Sequence, residues 1–429
     1  MSVIATKMLQ AAAGGGGAYW ITDYQSVSGE YTYAYGVNVD SSGNILTAGY
    51  DQNGTYSGHV AKWNPDDGSN TAYGRVAQDK LRIYNVFSDS SDNVYITGWR
   101  DDGTGNAERG QLFKFNSSLA YQFGREDYSE NSLYPTRVWG AAFDGTNLYI
   151  AGQTSTSNNG YFYSYDTSGT QRYTNGVIVS QNALRDVAVL GSKQYYIGQS
   201  RNSTNDPGFF FGVTDNYTAN PSKHIDAGGG YYTYLSRVTA RGSNIYVTGE
   251  YYSPRRAFIV KLNTSGVSIW DRQINTNAQI GHTTQIAVDS EDNVYQVFSR
   301  YNQYDSVICK LNSSGVLQWS NRLYHSSGSG VTKAIHIDGD DNILVCGLTS
   351  GAFTSGSSAF VAKLPNDGSL TGTYGDWTYT TLSLTATANG NLSITNTNQS
   401  VSSLGGVTNG NLTKSVSTAS PANESIETL

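Results

Sequence analysis

Residues Ala34–Tyr50 read AYGVNVDSSGNILTAGY. Val37 and Val39 alternate with polar neighbours, as a half-buried strand requires. An Asp-Ser-Ser-Gly-Asn turn follows, and a second apolar strand runs to Gly49. The pattern returns as YNVFSDSSDNVYITG to Gly98, WGAAFDGTNLYIAG to Gly152 and RDVAVLGSKQYYIG to Gly198. It returns again as SRVTARGSNIYVTG to Gly249, TQIAVDSEDNVYQVF to Phe298 and KAIHIDGDDNILVCG to Gly347. Successive end points lie 46 to 54 residues apart. A period near that length across a chain marks a propeller or a solenoid.

Two more segments complete each period. One is an apolar run with a lysine: HVAKW at Lys62, QLFKF at Lys114, FIVKL at Lys261, VICKL at Lys310 and FVAKL at Lys363. Ser164 and Gly212 replace that lysine in the third and fourth copies. The other segment holds one aromatic: Tyr73, Phe123, Tyr173, Trp270, Trp319 or Tyr374, with His224 in the weakest copy. Four antiparallel strands per period make one blade, and seven copies close into a ring. The fold class is therefore all-β, a seven-bladed β-propeller of four-stranded antiparallel blades. Trp20 and Tyr374 together give eight outer-strand candidates for seven blades. Either can close the last blade; closure by residues 18–24 is the economical choice, because it leaves no free edge at the seam. In six copies an Asn (Asn44, Asn93, Asn147, Asn244, Asn293, Asn342) stands at one place in the first turn. Asn tolerates positive φ there, and Asp bonds its own backbone two residues on.

Apolar content is 38% and charged content 14%, with 48 Gly and 33 Tyr. Turn formers outnumber helix formers, which fits the all-β reading. A formal net charge of −7 argues against nucleic-acid binding through a basic surface. The chain has no apolar run long enough for a membrane helix. The start MSVIATKMLQAAAGGGG lacks the charge order of a secretory signal. Cys309 and Cys346 lie in apolar strand patterns and are read as buried free thiols. Both features fit folding in a cytoplasm. Three segments follow: residues 1–17, a docking head on a Gly tether; 18–377, the propeller; and 378–429, a Thr/Ser/Asn-rich β-hairpin arm. In the arm Leu382, Leu384, Ala386 and Ala388 alternate, and Asn-Gly at 389–390 and 409–410 is read as two hairpin turns. Hairpins this poor in apolar bulk are marginal alone, so the arm is expected to pair with the propeller or with another subunit.

No catalytic set emerges. The DSSGN, DSSDN, DSEDN and DGDDN loops look faintly like calcium loops, but no closing Glu follows, so they are read as turns. The five histidines share no metal spacing, and GxSxG, HExxH and P-loop patterns are lacking. Catalytic residues, cofactors and metals are therefore all expected to be none, and the central channel idle. The blade lysines are read as solvated, edge-protecting side chains. Tyrosine is the compositional oddity. Tyr231, Tyr232, Tyr234, Tyr251, Tyr252, Tyr301 and Tyr304 cluster beside Gly, Ser and Asn in inter-strand loops, the make-up of an adaptable binding surface.

The unit VNVDSSGNILTAG…HVAKWN, with a Trp strand between copies, resembles the seven-bladed β-propeller repeat (SBBP-type) family over residues 18–375. That resemblance implies the fold and a scaffold role. The Ala/Gly head, GGGGAYW and the Thr/Ser/Asn tail are similar in style to virion-associated propellers of marine tailed phages. This implies a non-enzymatic virion protein of the tail or its fibres, made in a host cytoplasm and present in several copies. Its partners would be other virion proteins, reached through residues 1–17 and 378–429, and host surface glycan. The chain lacks a fibre shaft, which favours a compact accessory or adaptor. The alternatives are a carbohydrate-binding or polysaccharide-cleaving extracellular propeller and a cytoplasmic interaction scaffold.

Overall fold

The computed structural model describes residues 18–428, except 26–30, 54, 79, 102–107, 130–135, 155–158, 173–176, 180–181, 201–206, 214–218, 228–231, 253–254, 277–278, 302, 351–356, 397–400, 404–406, 413–415 and 419–422. The head at 1–17 and Tyr173 thus lie outside the described residues. Every regular element described is a strand.

Seven antiparallel sheets stand around a channel, as the repeat predicts. Blade 1 consists of Tyr31–Val39, Ile45–Asn53, Thr55–Trp63 and Asn70–Val76, from channel to rim. The inner strands of blades 2 to 7 are Leu81–Ser88, Thr136–Phe143, Asn182–Leu190, Thr233–Arg241, Ile280–Val288 and Gly330–Ile337. The apolar clusters lie between blades. One joins Leu46, Ala48 and Val60 of blade 1 to Ile83, Val94 and Phe113 of blade 2. A thin core of this kind, repeated around the ring, explains how a chain with so few apolar residues folds at this size.

The Asp-Asn turns work as read. Asp40 Oδ1 accepts from the backbone N–H of Ser42 at 3.1 Å and of Asn44 at 2.8 Å. Asp89, Asp289 and Asp338 repeat the arrangement. The turns also join blades: Asp92 accepts from Ser41 N at 2.7 Å and Ser42 Oγ at 2.8 Å.

The blade lysines are not solvated edge guards. Each reaches into the next blade and donates to a carbonyl in the turn after its third strand. Lys62 donates to Ser117 O (2.8 Å), Lys114 to Thr167 O (2.8 Å), Lys261 to Ser313 O (3.3 Å), Lys310 to Asn366 O (3.4 Å) and Lys363 to Pro65 O (3.2 Å). In three blades the outer-strand tryptophan donates to the same carbonyl: Trp270 to Ser313 O, Trp319 to Asn366 O and Trp20 to Pro65 O. The repeated lysine and the repeated aromatic are thus two jaws of one inter-blade clamp. A buried ammonium is tolerated because it is hydrogen-bonded and, at Lys62, Lys261 and Lys310, also faces a carboxylate: Asp40 at 2.8 Å, Asp292 at 3.6 Å and Asp289 at 3.5 Å.

Trp20–Gln25 pairs with Ser357–Leu364 and is the outer strand of blade 7. The Trp20 strand, and not the Tyr374 strand, therefore closes the ring. Beyond it a buried network ties the seam: Tyr24 Oη lies 3.2 Å from Thr47 Oγ1 and 3.3 Å from His59 Nε2, and His59 Nδ1 lies 3.2 Å from Asp51.

After blade 7 the chain turns back. Gly372–Tyr374 and Trp377–Thr381 form a hairpin whose second strand pairs with the outer strand of blade 6. The tail then travels around the rim against the blade order. Thr385–Thr387 adds to blade 5, Ser393–Asn396 to blade 4 and Val401–Ser403 to blade 3. Val407–Leu412 adds to blade 2, Val416–Thr418 to blade 1, and Asn423–Thr428 to Trp20–Gln25 in blade 7. The arm is therefore a belt, and neither Asn-Gly makes a hairpin. Asn389-Gly390 turns the chain from blade 5 to blade 4, held by Asn389 N to Asp271 Oδ1 at 2.6 Å. Asn409-Gly410 lies within a strand, opposite Asp127 and Glu126. The outer strands of the blades offered longer partners than the tail's own segments, so pairing went there.

Candidate functional site

The antiparallel register puts the start of each inner strand and the end of each second strand on one face, with the Asp-Asn turns on the other. On the first face six inner strands skip one residue in the ladder at the same place. The pairing jumps from Ala34 to Gly36, Ile83 to Asn85, Val138 to Gly140, Leu184 to Asp186, Leu235 to Arg237 and Thr332 to Ala334. A bulge releases one residue from the ladder and re-aims its side chain. The skipped residues are Tyr35, Tyr84, Trp139, Arg185, Ser236 and Lys333. With Thr284 and Gln285 of blade 6 they ring a basin of about 330 Å3 at the channel mouth. The channel below, about 420 Å3, is walled by short side chains such as Ala141, Ala188, Ala287 and Ala334.

The ring is ordered by chemistry. Blades 1 to 3 supply an aromatic arc: Tyr35 and Tyr84 meet edge to face at 5.1 Å between centroids, and Tyr84 and Trp139 lie 5.6 Å apart. A cation stands at each end of the arc. Lys333 Nζ lies 5.8 Å from the Tyr35 ring, and Arg185 Cζ lies 5.0 Å from the Trp139 ring. Arg237 of blade 5 adds a third cation and donates to Gln285 Oε1 at 3.0 Å. The basin's carboxylate, Glu250, is buried and lies 3.7 Å from Arg255 Nε. Asp186 sits in the channel wall and accepts from Val238 N at 2.9 Å. Burial pushes its pKa up to about 6, against the opposing pull of Arg237. Burial lowers the Lys333 ammonium to about 8 and pushes Tyr35 up to about 12.

Outward from the arc, rings and guanidinium groups alternate. Arg82 Cζ lies 4.2 Å from the Tyr56 ring and 4.4 Å from the Trp99 ring, and Arg137 Cζ lies 5.1 Å from Trp99. On the blade 5 side Tyr234 lines the basin and meets Tyr252 at 5.5 Å, which in turn meets the exposed Tyr232 at 6.4 Å. Tyr301 and Tyr304 are exposed on blade 6. Tyr251 is buried in the core of blade 5 and is not a surface group. Tyr234 and Tyr251 lie in strands, not in loops. Tyr231 lies outside the described residues.

The sequence reading missed the ring itself, although the aligned repeats display it as one column: Y, Y, W, R, S, T, K within the inner strands. No alternation rule marks that column, because the bulge breaks the alternation there. Among the described residues no group of three or more His, Cys, Asp or Glu is placed to hold a metal ion. No described helix is long and apolar enough to cross a membrane. Cys309 and Cys346 are free and buried.

These features define a seven-bladed β-propeller with a polar-aromatic basin over its channel. No protein-family model matches the chain, and no curated protein does. Among solved structures it is similar to hydrazine synthase of Kuenenia stuttgartiensis, with a TM-score of 0.50 and 11% identity over 73% of this chain and 92% of that one. It is also similar to the polysaccharide lyase Uly1 (TM-score 0.46, 11% identity, 78% and 90% covered). A third is Drosophila semaphorin 1b, extracellular domains 1–2 (TM-score 0.45, 8% identity, 82% and 87% covered). At such identities the likeness is one of fold, and the resemblance to the repeat family likewise extends to the fold.

Proposed function

We propose that the protein is a non-enzymatic contact module, a rigid disc that recognises a surface saccharide at the channel mouth. The observation that carries this is the convergence of Tyr35, Tyr84 and Trp139 with Ser236, Thr284 and Gln285 in one basin. Flat rings take the apolar face of a pyranose, and the Ser236 hydroxyl and Gln285 amide take its hydroxyls. The inner strands hold these groups from seven directions, so little order is gained or lost on binding. The basin's carboxylate is engaged by Arg255, which favours binding over bond cleavage. A glycan array with a reducing-sugar assay tests the reading. Array signals that vanish in Trp139→Ala, without release of reducing ends, are expected. Reducing ends would make the protein a hydrolase or lyase, and silence in both assays removes the saccharide.

We further propose the setting: a virion component, tail- or fibre-associated and present in several copies, made in the host cytoplasm. The observation favouring it is the belt. In each blade except the sixth, the outermost strand is the belt strand, and its far edge has no partner strand among the described residues. Where the belt strand is six residues long, at Val407–Leu412 and Asn423–Thr428, that edge is long enough to accept a strand from a neighbouring subunit, whereas the three-residue belt strands only cap. Mass spectrometry of purified particles checks this, and absence of the chain from them ends it.

A further inference from the structure

We infer that the basin takes an acidic oligosaccharide, its sugar faces on the Tyr35–Tyr84–Trp139 arc and its anionic groups at the two cationic ends of that arc. This rests on the saccharide reading above and adds the charge of the ligand. The whole chain carries a formal net charge of −7, yet the basin lining gathers Arg185, Arg237 and Lys333 around one carboxylate, with Asp186 set against Arg237 from the channel wall. That carboxylate, Glu250, has its own counter-ion in Arg255. Lys333 has no ion pair among the described residues, and its ammonium stands over the Tyr35 ring, 5.8 Å from the centroid. An ammonium drawn into such a site without an anion is costly to desolvate, and its lowered pKa reports that cost. An incoming carboxylate or sulfate restores the missing partner, and in the low-dielectric basin the contact is stronger than it would be in water.

The spacing of charge also matters. The cations sit on blades 7 and 4, at opposite ends of an arc three blades long. A saccharide that bears an anionic group on more than one residue can place one at each end while its sugar faces lie on the rings. Beyond the basin, Arg82 continues the pattern between Tyr56 and Trp99, again with no ion pair among the described residues. Single-stranded nucleic acid also combines rings and cations, but the charge of this chain opposes a long polyanion that extends past the basin.

The test is titration calorimetry on the full chain with a panel of probes. The panel holds oligogalacturonate, a glucuronate-containing oligosaccharide, a sulfated oligosaccharide, the methyl ester of the first, a neutral oligosaccharide and poly-glutamate. At least one acidic saccharide should bind tenfold or more tightly than the ester and the neutral probe. Lys333→Met and Arg185→Gln should each cut that affinity about tenfold and narrow the acid-to-ester ratio, and Lys333→Arg should restore it. Equal binding of acid and ester overturns the charge inference and leaves the saccharide reading standing. Binding of no saccharide at all overturns both. Poly-glutamate binding as tightly as the best acidic sugar shows that the basin reads charge alone, and overturns the sugar part. If Lys333→Met fails to fold, the acid-to-ester ratio on the unaltered chain still decides.

Discussion

The seam between blades 7 and 1 offers a test of the clamp. Pro65 O accepts from Trp20 Nε1 at 3.1 Å and from Lys363 Nζ at 3.2 Å, and both donors are buried. Lys363→Met removes one donor and leaves the carbonyl the other, at a cost of about 1–3 kcal/mol for a charge-assisted bond. Trp20→Phe removes the second donor, about 1 kcal/mol, and adds a similar amount for the lost ring volume. The volume term appears in both arms of a double-mutant cycle and cancels. In the double variant the carbonyl has neither donor, and an unpaired group of this kind costs about 1–3 kcal/mol more. The expected coupling is therefore about 1–2 kcal/mol beyond the sum of the singles. Lys114, whose acceptor is Thr167 O, serves as a distant control, and Trp20→Phe with Lys114→Met should add within about 0.5 kcal/mol. Urea unfolding followed by circular dichroism measures all of these, provided the slope stays constant across the set. A seam coupling no larger than the control would mean that water replaces the lost donors, and the shared-acceptor account of the clamp would be refuted.

Three further outcomes are expected. Asp186, raised to about 6 by burial, contributes stability that is full below its unfolded pKa and lost as pH rises through about 6. Asp186→Asn should therefore stabilise the fold at pH 7.5 by an amount on the order of 2–3 kcal/mol, with the difference closing near pH 4 in thermal melts; a gain that ignores pH would sink the assignment. Gly315 has φ of +76°, and an added Cβ would meet the Trp270 ring at 3.0 Å, whereas Gly43, at φ +83°, has open space around that position. Gly315→Ala should cost more than Gly43→Ala, which carries backbone strain alone of about 1 kcal/mol; equal losses in chemical melts would show that the Trp270 contact is slack. Removing residues 383–429 strips the belt from six blades, so amides of the outer strands should exchange faster with deuterium and the chain should self-associate on a sizing column. A monomer with unchanged exchange would show that the belt is not an edge cap.

The period and the four strands per blade were legible because they rest on alternation and on turn chemistry, which are local; closure by Trp20 followed from leaving no free edge at the seam. The lysines were misread for the opposite reason. A Lys in the run FIVKL looks like a polar interruption at the water's edge. What buries Lys261 is a carbonyl at Ser313, in the next blade, and nothing near Lys261 in sequence announces it. The Asn-Gly pairs misled through a competition that local rules omit. Asn389-Gly390 has the right residues for a tight hairpin, but Thr385–Thr387 and Ser393–Asn396 each lay beside an open outer strand of a blade.

The belt alters how that outer rim should be understood. Without it, each blade would end in a strand such as Asn70–Val76 or Ser268–Asn275 with a full row of unpaired backbone groups, the usual template for unwanted pairing. The belt replaces several of these edges with strands as short as three residues, at Thr385–Thr387, Val401–Ser403 and Val416–Thr418. Its low apolar content then has a physical reason, because a strand that caps an edge on the outer rim needs backbone pairing more than side-chain burial. The last belt strand pairs with Trp20–Gln25, so the first and last described strands lie side by side in blade 7. Opening the ring at that seam would require both ends of the chain to let go, which places the mechanical weak point of the disc elsewhere. The interfaces flanking blade 4 are the ones to watch, since Ser164 and Gly212 stand there in place of the clamp lysine. Hydrogen exchange should therefore show blade 4 opening before blade 7, and the reverse order would mean that core packing between blades, and not the lysine clamp, sets which part of the ring yields first.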